Sequence, residues 1–284
     1  MKIPLQAIIC IFAVLTLLNL FWMISGRKIR ISGYLKFIWF FFLIFLVGEF
    51  VSFYAAAWLW GFLSFFSLRE FFSLIDFRMQ DRFGIIAAYL SIPFMMHFVH
   101  IDWYNMFIIT IPVYSFLVIP FLVALGGKEK EGAISSIGII SFGLFLFVYC
   151  IGHIAYLTYY SLWTACMLIL NLLICDTSTC YIEKSSLSSL KRLILLYFIP
   201  VPFTILLSYF VRSWCGLPVI HSIILGLIIP LLVIIGRFTI RYLESDLGII
   251  RENLKPGRGL LLDNIMSLLY SAPVVLHYYR YFII

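Results

Sequence analysis

Charge is what this 284-residue chain has least of. Only 12% of its residues are Asp, Glu, Lys or Arg, against 64% hydrophobic residues and a mean hydropathy of +1.09. That scarcity excludes an ordinary soluble domain, where about a quarter of residues are charged. Gly/Ser linkers, low-complexity tracts and internal repeats are absent, so the chain reads as one domain over 1–284. No asparagine opens an acceptor sequon. The six cysteines stand singly, without the even, close spacing that staples small secreted domains. Cys175 and Cys180 are the only close pair, and with no histidine beside them they make a weak zinc motif.

What is present instead is a succession of apolar runs long enough to cross about 30 Å of hydrocarbon. They fall near 3–24, 83–99, 103–125, 137–157, 158–175, 193–211, 217–236 and 267–284. A double-length run, 37–68, is interrupted by Gly48-Glu49, which predicts a short hairpin of two spans at 37–50 and 52–68. The expected fold is therefore an all-α polytopic membrane protein of about ten transmembrane helices.

Charge placement supports the hairpin. With it, loops 26–36, 69–82, 126–136, 176–192 and 237–266 share one side and hold 17 of the 20 basic residues; only Lys2, Arg212 and Arg280 remain for the other. By the positive-inside rule that side is cytoplasmic and both termini lie outside it. Eleven of the 13 acids also fall there, all but Glu49 and Asp102, so the net charge of +7 reports topology and no nucleic-acid partner is expected. The first run carries its basic cluster, Arg27-Lys28-Ile29-Arg30, after the apolar residues, and is expected to stay as an anchor.

Polar groups within the spans need partners in lipid. His97, His153, His221 and Asn171 are expected to make hydrogen bonds in the bundle interior, and Trp58, Trp60 and Trp163 to pack there. Trp22, Trp39, Trp103 and Trp214 lie near span ends, as interfacial aromatics do. Pro112, Pro120, Pro200, Pro202 and Pro230 are expected to kink their helices. The stretch from Leu68 to Arg82 reads as a connector or as a membrane-surface segment.

The longest polar passage runs from Gly236 to Ala272 and gathers Arg237, Arg241, Glu244, Asp246, Arg251, Glu252, Lys255, Arg258 and Asp263 around a Pro256-Gly257-Arg258-Gly259 turn. Carboxylates and cations gathered at a membrane surface suit a metal–phosphate ligand. They equally suit a solvated loop. In that second reading Asp263 caps the last helix, and Lys255 and Arg258 anchor the chain on anionic lipid.

An ordered set of motifs in this chain resembles the phosphatidate cytidylyltransferases, also called CDP-diacylglycerol synthases. It comprises Asp246-Leu-Gly-Ile-Ile-Arg-Glu252, Pro256-Gly-Arg-Gly-Leu-Leu-Leu-Asp263-Asn264, Ser267-Leu268 and Ala272-Pro273, with Leu68-Arg-Glu-Phe71, Asp81-Arg82, Ile111-Pro-Val-Tyr114 and Val148-Tyr-Cys-Ile-Gly-His153 upstream. The resemblance implies transfer of a cytidylyl group from CTP to phosphatidate or a related lipid phosphate. It implies Asp263 and Asp176 as catalytic residues, Asp263 and Glu252 as ligands of Mg2+, and Arg251, Lys255 and Arg258 facing phosphate. It further implies a bacterial cytoplasmic membrane, with the polar loops and the site on the cytoplasmic side. A phosphatidate-like lipid and CTP are the partners expected, and a homodimer is left open.

The chain also departs from the family pattern. Glu244-Ser245 stands where the family has Lys-Arg, Arg258 replaces its histidine, Leu260 its last glycine, and Asn264 and Met266 the Arg and second Asp after Asp263. Ser185 to Lys191 stands in place of a longer loop with a Ser-Pro-x-Lys-Thr element. A silent relative, which keeps the fold and binds lipid or a partner without turnover, is the alternative these departures raise.

Overall fold

In the computed structural model the described residues are 13–14, 16–17, 31–126, 130–182, 188–246 and 260–284. They are almost entirely helical, and no strand occurs among them. In chain order the helices are α1 (Ile31–Phe50), α2 (Phe53–Phe72), α3 (Arg82–His100), α4 (Tyr104–Gly126), α5 (Ala133–Tyr160), α6 (Leu162–Ile182), α7 (Ser189–Phe198), α8 (Pro200–Cys215), α9 (Val219–Asp246) and α10 (Leu260–Phe282). Six segments are long and apolar enough to span a membrane: Met79–His100, Tyr104–Gly126, Ala133–Tyr160, Leu162–Thr179, Leu190–Cys215 and Val219–Asp246. The chain is an all-α integral membrane protein. The expected first span, 3–24, lies almost wholly outside the described residues.

The double-length run folds back between 50 and 53, as the sequence predicts, although neither arm is among the six spanning segments and Trp39–Phe50 is a shorter apolar helix. Helix α1 ends at Phe50, Val51 turns, and the Ser52 hydroxyl accepts the Tyr54 N–H at 3.2 Å to start α2. Phe41 meets Trp60 across the hairpin, with ring centroids 5.5 Å apart. At Gly48 an added Cβ would lie 3.3 Å from that of Ala56, so small residues set the separation of the two helices.

Proline and glycine shape the remaining rods. Helix α4 passes through a π-helical segment, Thr110–Ser115, around Pro112, which has no N–H to give to the ordinary ladder. Helix α5 carries a second one, Phe145–Cys150. The run at 193–211 divides into α7 and α8 at Ile199, with Pro200 as the first residue of α8. Gly216, at φ +69°, ends α8 in the left-handed conformation that side chains disfavour.

One core cluster joins α1 to α10 and draws on every helix but α7. Trp60 is buried and donates its indole N–H to Thr158 at 3.0 Å, and Trp163 packs between Phe45 and Trp214. Trp58, by contrast, is exposed. Asn171 donates to Ser208 at 2.9 Å, His221 meets the Tyr278 hydroxyl at 2.7 Å, and buried His153 meets the Tyr149 carbonyl at 2.7 Å. His97 differs from expectation, since its side chain is exposed.

The connector before α3 is pinned. Asp81 is fully buried, pairs with Arg78 at 2.6 Å and accepts from Ser136 at 2.7 Å, while Arg78 also donates to the Glu131 carbonyl. This ties the turn before α3 to the start of α5.

Candidate functional site

The polar passage at 237–266 is less of a loop than its composition suggests. Helix α9 continues ten residues past the apolar run to Asp246, and α10 begins at Leu260. Arg237 and Arg241, four residues apart, therefore stand one turn apart on one face of α9. No glycine or proline interrupts the helix between them. Both ends of the passage are helical because buried contacts hold them: Arg237 and Glu244 are buried on α9, as are Leu262, Ile265, Met266 and Ser267 on α10.

Asp176 is the centre of this end of the bundle. It sits on α6 and is 4% exposed, with Arg237 of α9 at 6% and Ser267 of α10 at 2%. Arg237 donates to the Asp176 Oδ1 oxygen through Nη2 at 2.7 Å and Nε at 3.1 Å. The Ser267 hydroxyl donates to the same oxygen at 2.6 Å and accepts from Arg237 Nε at 3.2 Å. Three helices thus close on one carboxylate. A buried charge of either sign costs several kcal/mol unless it is paired and hydrogen-bonded, which explains why this cluster is knit so tightly.

Arg237 also lines a cleft of about 540 Å³ between α6, α7 and α9, together with Thr179, Arg192, Leu193, Leu196, Ile234, Phe238, Arg241 and Tyr242. Three arginines and no acidic side chain line it, and one of the three, Arg237, is already paired with Asp176. Its rim is apolar and open, with Phe238 71% and Tyr242 70% exposed. A cleft of this size holds a small ligand. Guanidinium groups beside an exposed apolar rim match an anionic headgroup attached to a hydrocarbon body.

Glu70 joins α10 to the other half of the bundle. Its Oε2 accepts the backbone N–H of Leu262 at 3.3 Å, placing a carboxylate at the positive end of the α10 dipole. Asp263, expected as a catalytic carboxylate, has its backbone in the first turn of α10, one turn ahead of Ser267. Its side chain lies outside the described set. Glu252, Arg251, Lys255 and Arg258 all lie outside the described residues. Asp176 is the one expected catalytic residue whose surroundings are described.

The ligands expected for Mg2+, Asp263 and Glu252, have side chains outside the described residues. At Asp176 the Oδ1 oxygen is already held by the Arg237 guanidinium and the Ser267 hydroxyl. Among the described residues no group of three or more His, Cys, Asp or Glu side chains gathers as a metal site does. The sequence pointed to Arg237 and Arg241 as part of the polar passage and to Ser267 and Glu70 within the resemblance motifs, but gave none of them a role at Asp176, and it gave no part to Arg192 or Thr179. The spacing of Arg237 and Arg241 was the available signal, and it becomes informative only once α9 is known to extend past Gly236.

The fold and this site define a polytopic helical membrane protein with an arginine-lined cleft at one end of its bundle. No protein-family model matches the chain, and neither a curated protein nor a solved structure matches it at a significant level.

Proposed function

We propose that this protein binds a lipid phosphate in the arginine cleft, at the cytoplasmic face of a bacterial inner membrane, without transferring a nucleotide to it. The observation that carries this reading is the Asp176–Arg237–Ser267 cluster behind a cleft lined by Arg192, Arg237 and Arg241. The carboxylate is committed to the fold, and the cations line an opening edged by Phe238 and Tyr242. Charge-assisted hydrogen bonds from guanidinium suit phosphate oxygens, and the exposed aromatic rim suits the acyl chains that follow. The cytoplasmic placement is supported by the sequence, in which the segments assigned to one side, 176–192 and 237–266 among them, hold 17 of the 20 basic residues.

The test is binding of phosphatidate against phosphatidylcholine, by native mass spectrometry of the purified protein, in the parent and in Arg241→Ala. Preference for phosphatidate that falls in the variant supports the proposal. Equal binding of both lipids overturns it.

A second reading, cytidylyl transfer from CTP to the same lipid phosphate, draws support from the sequence position of Asp263, four residues before Ser267 on α10. It is tested with labelled CTP, phosphatidate and magnesium, running Asp263→Ala in parallel. A CDP-lipid product from the parent alone establishes it. No product, alongside retained phosphatidate binding, leaves the first reading.

A further inference from the structure

We infer that the Arg237 guanidinium is a built-in substitute for a divalent cation at Asp176, and that replacing this one side chain converts the cluster into a metal site. The geometry is specific. Asp176 Oδ1 and Ser267 Oγ lie 2.6 Å apart, and Arg237 Nε sits at 3.1 and 3.2 Å from them. A hard divalent ion binds such oxygens at about 2.0–2.6 Å. An ion bridging these two atoms from the side that Arg237 occupies would fall in the space that Nε takes, and there the two exclude each other. Arg237 Nη2, at 2.7 Å from the same oxygen, closes the approach further.

The chemistry of the two occupants differs in a way that matters to the cleft. A metal ion exchanges with solvent, so the charge it brings depends on the metal concentration. A guanidinium keeps its charge at all physiological pH and is anchored by covalent bonds. Arg237 faces Asp176 with Nε and Nη2 and also lines the cleft, so the charge that balances the carboxylate is shared with the opening. Occupancy of the cleft by an anion is then independent of divalent ions. The inference stands whichever anion the cleft takes.

The test counts Mn2+ bound by chelator-treated protein in lipid nanodiscs, by electron paramagnetic resonance. Four forms are compared: the parent; Asp176→Leu/Arg237→Met, which removes the pair without stranding a charge; Arg237→Asp; and Arg237→Asp/Asp176→Asn. The expected result is equal Mn2+ on the first two, one additional ion per chain on Arg237→Asp, and loss of that ion in the fourth. Folding of Arg237→Asp only in the presence of Mn2+ also supports the inference. One more ion on the parent than on the apolar pair variant overturns it, whatever the folding of the other forms. So does a folded Arg237→Asp with no additional ion.

Discussion

Asp176 and Arg237, 61 residues apart in the chain, form a buried ion pair of 2.7 Å that ties α6 to α9. Removing one partner strands a charge among helices, and the usual cost of that is about 3–5 kcal/mol. Asp176→Asn is expected to lose most of that amount in thermal or denaturant unfolding of the detergent-solubilised protein. Asp176→Leu combined with Arg237→Met should be far less destabilised than either single change, because neither charge is then left alone. Additive losses would mean that the pair is not the unit of stability here.

The cleft makes a prediction about lipid. Each charge-assisted hydrogen bond to phosphate contributes about 1.5–3 kcal/mol, so Arg241→Ala is expected to weaken phosphatidate binding roughly ten- to hundredfold. Arg241→Lys should recover only part, since an ammonium cannot reproduce the planar two-point contact. Raising salt should narrow the preference for phosphatidate over phosphatidylcholine, because the rim is open to screening. A preference that persists unchanged in Arg241→Ala and Arg192→Ala alike would place the lipid elsewhere.

Glu70 gives a local prediction. With its Oε2 on the Leu262 N–H at 3.3 Å, it acts as a cap supplied by another helix. Glu70→Ala is expected to cost about 0.5–2 kcal/mol, and to raise amide exchange in the first turn of α10 while leaving α2 protected. Glu70→Gln should fall between, keeping an acceptor but losing the favourable charge at the helix start. Hydrogen–deuterium exchange with mass spectrometry resolves these peptides.

Much of the fold was legible because the solvent here is lipid. The apolar runs located the described helices, closely at α3 and α4 but with ends up to ten residues off at α9, and the break expected at Gly48-Glu49 falls two residues on, at Val51-Ser52. A chain in hydrocarbon must satisfy its backbone internally, so its turns are few. The long polar passage misled for the opposite reason. Charges in sequence read as loop, yet Arg237 and Glu244 are buried on a helix that continues to Asp246. Whether an arginine is an anchor at the membrane surface or the partner of a carboxylate depends on what a helix elsewhere in the chain brings to it. Asp176 was legible as a residue of interest, while its attachment to Arg237 and Ser267 required the packing of α6, α9 and α10.

At the opposite end of the bundle, Asp102 adopts φ +53° and accepts a hydrogen bond from Tyr156 at 2.6 Å. Asn tolerates the left-handed region better than most residues, so Asp102→Asn should be nearly neutral. Tyr156→Phe leaves a carboxylate that is already exposed and can be rehydrated, so a loss of about 0.5–1.5 kcal/mol is expected, the ordinary net value of a hydrogen bond. Unfolding curves of the two variants check both values, and a larger loss for Asp102→Asn than for Tyr156→Phe would contradict this ordering.

The contact between α8 and α9 is set by Gly226, and the prediction there is the sharpest. A Cβ on Gly226 would lie 2.7 Å from the Ile205 Cα and 2.9 Å from its backbone nitrogen. Backbone atoms cannot rotate away as a side-chain end can, so Gly226→Ala must push the two helices apart. Thr204 Oγ1, which donates to the Gly226 carbonyl at 2.7 Å, then loses its contact across the same interface. Overpacking of this kind costs about 1–3 kcal/mol, more than the helix-propensity gain of about 0.5–1 kcal/mol from replacing a helical glycine by alanine. Gly138 of α5 supplies the control: nothing lies within 4 Å of an added Cβ, so Gly138→Ala keeps the propensity gain without the clash. Opposite signs in the unfolding of the two variants are therefore expected. The movement of α8 should also reach Asn171 of α6, which donates to Ser208 of α8 at 2.9 Å, so that Gly226→Ala and Ser208→Ala are less than additive.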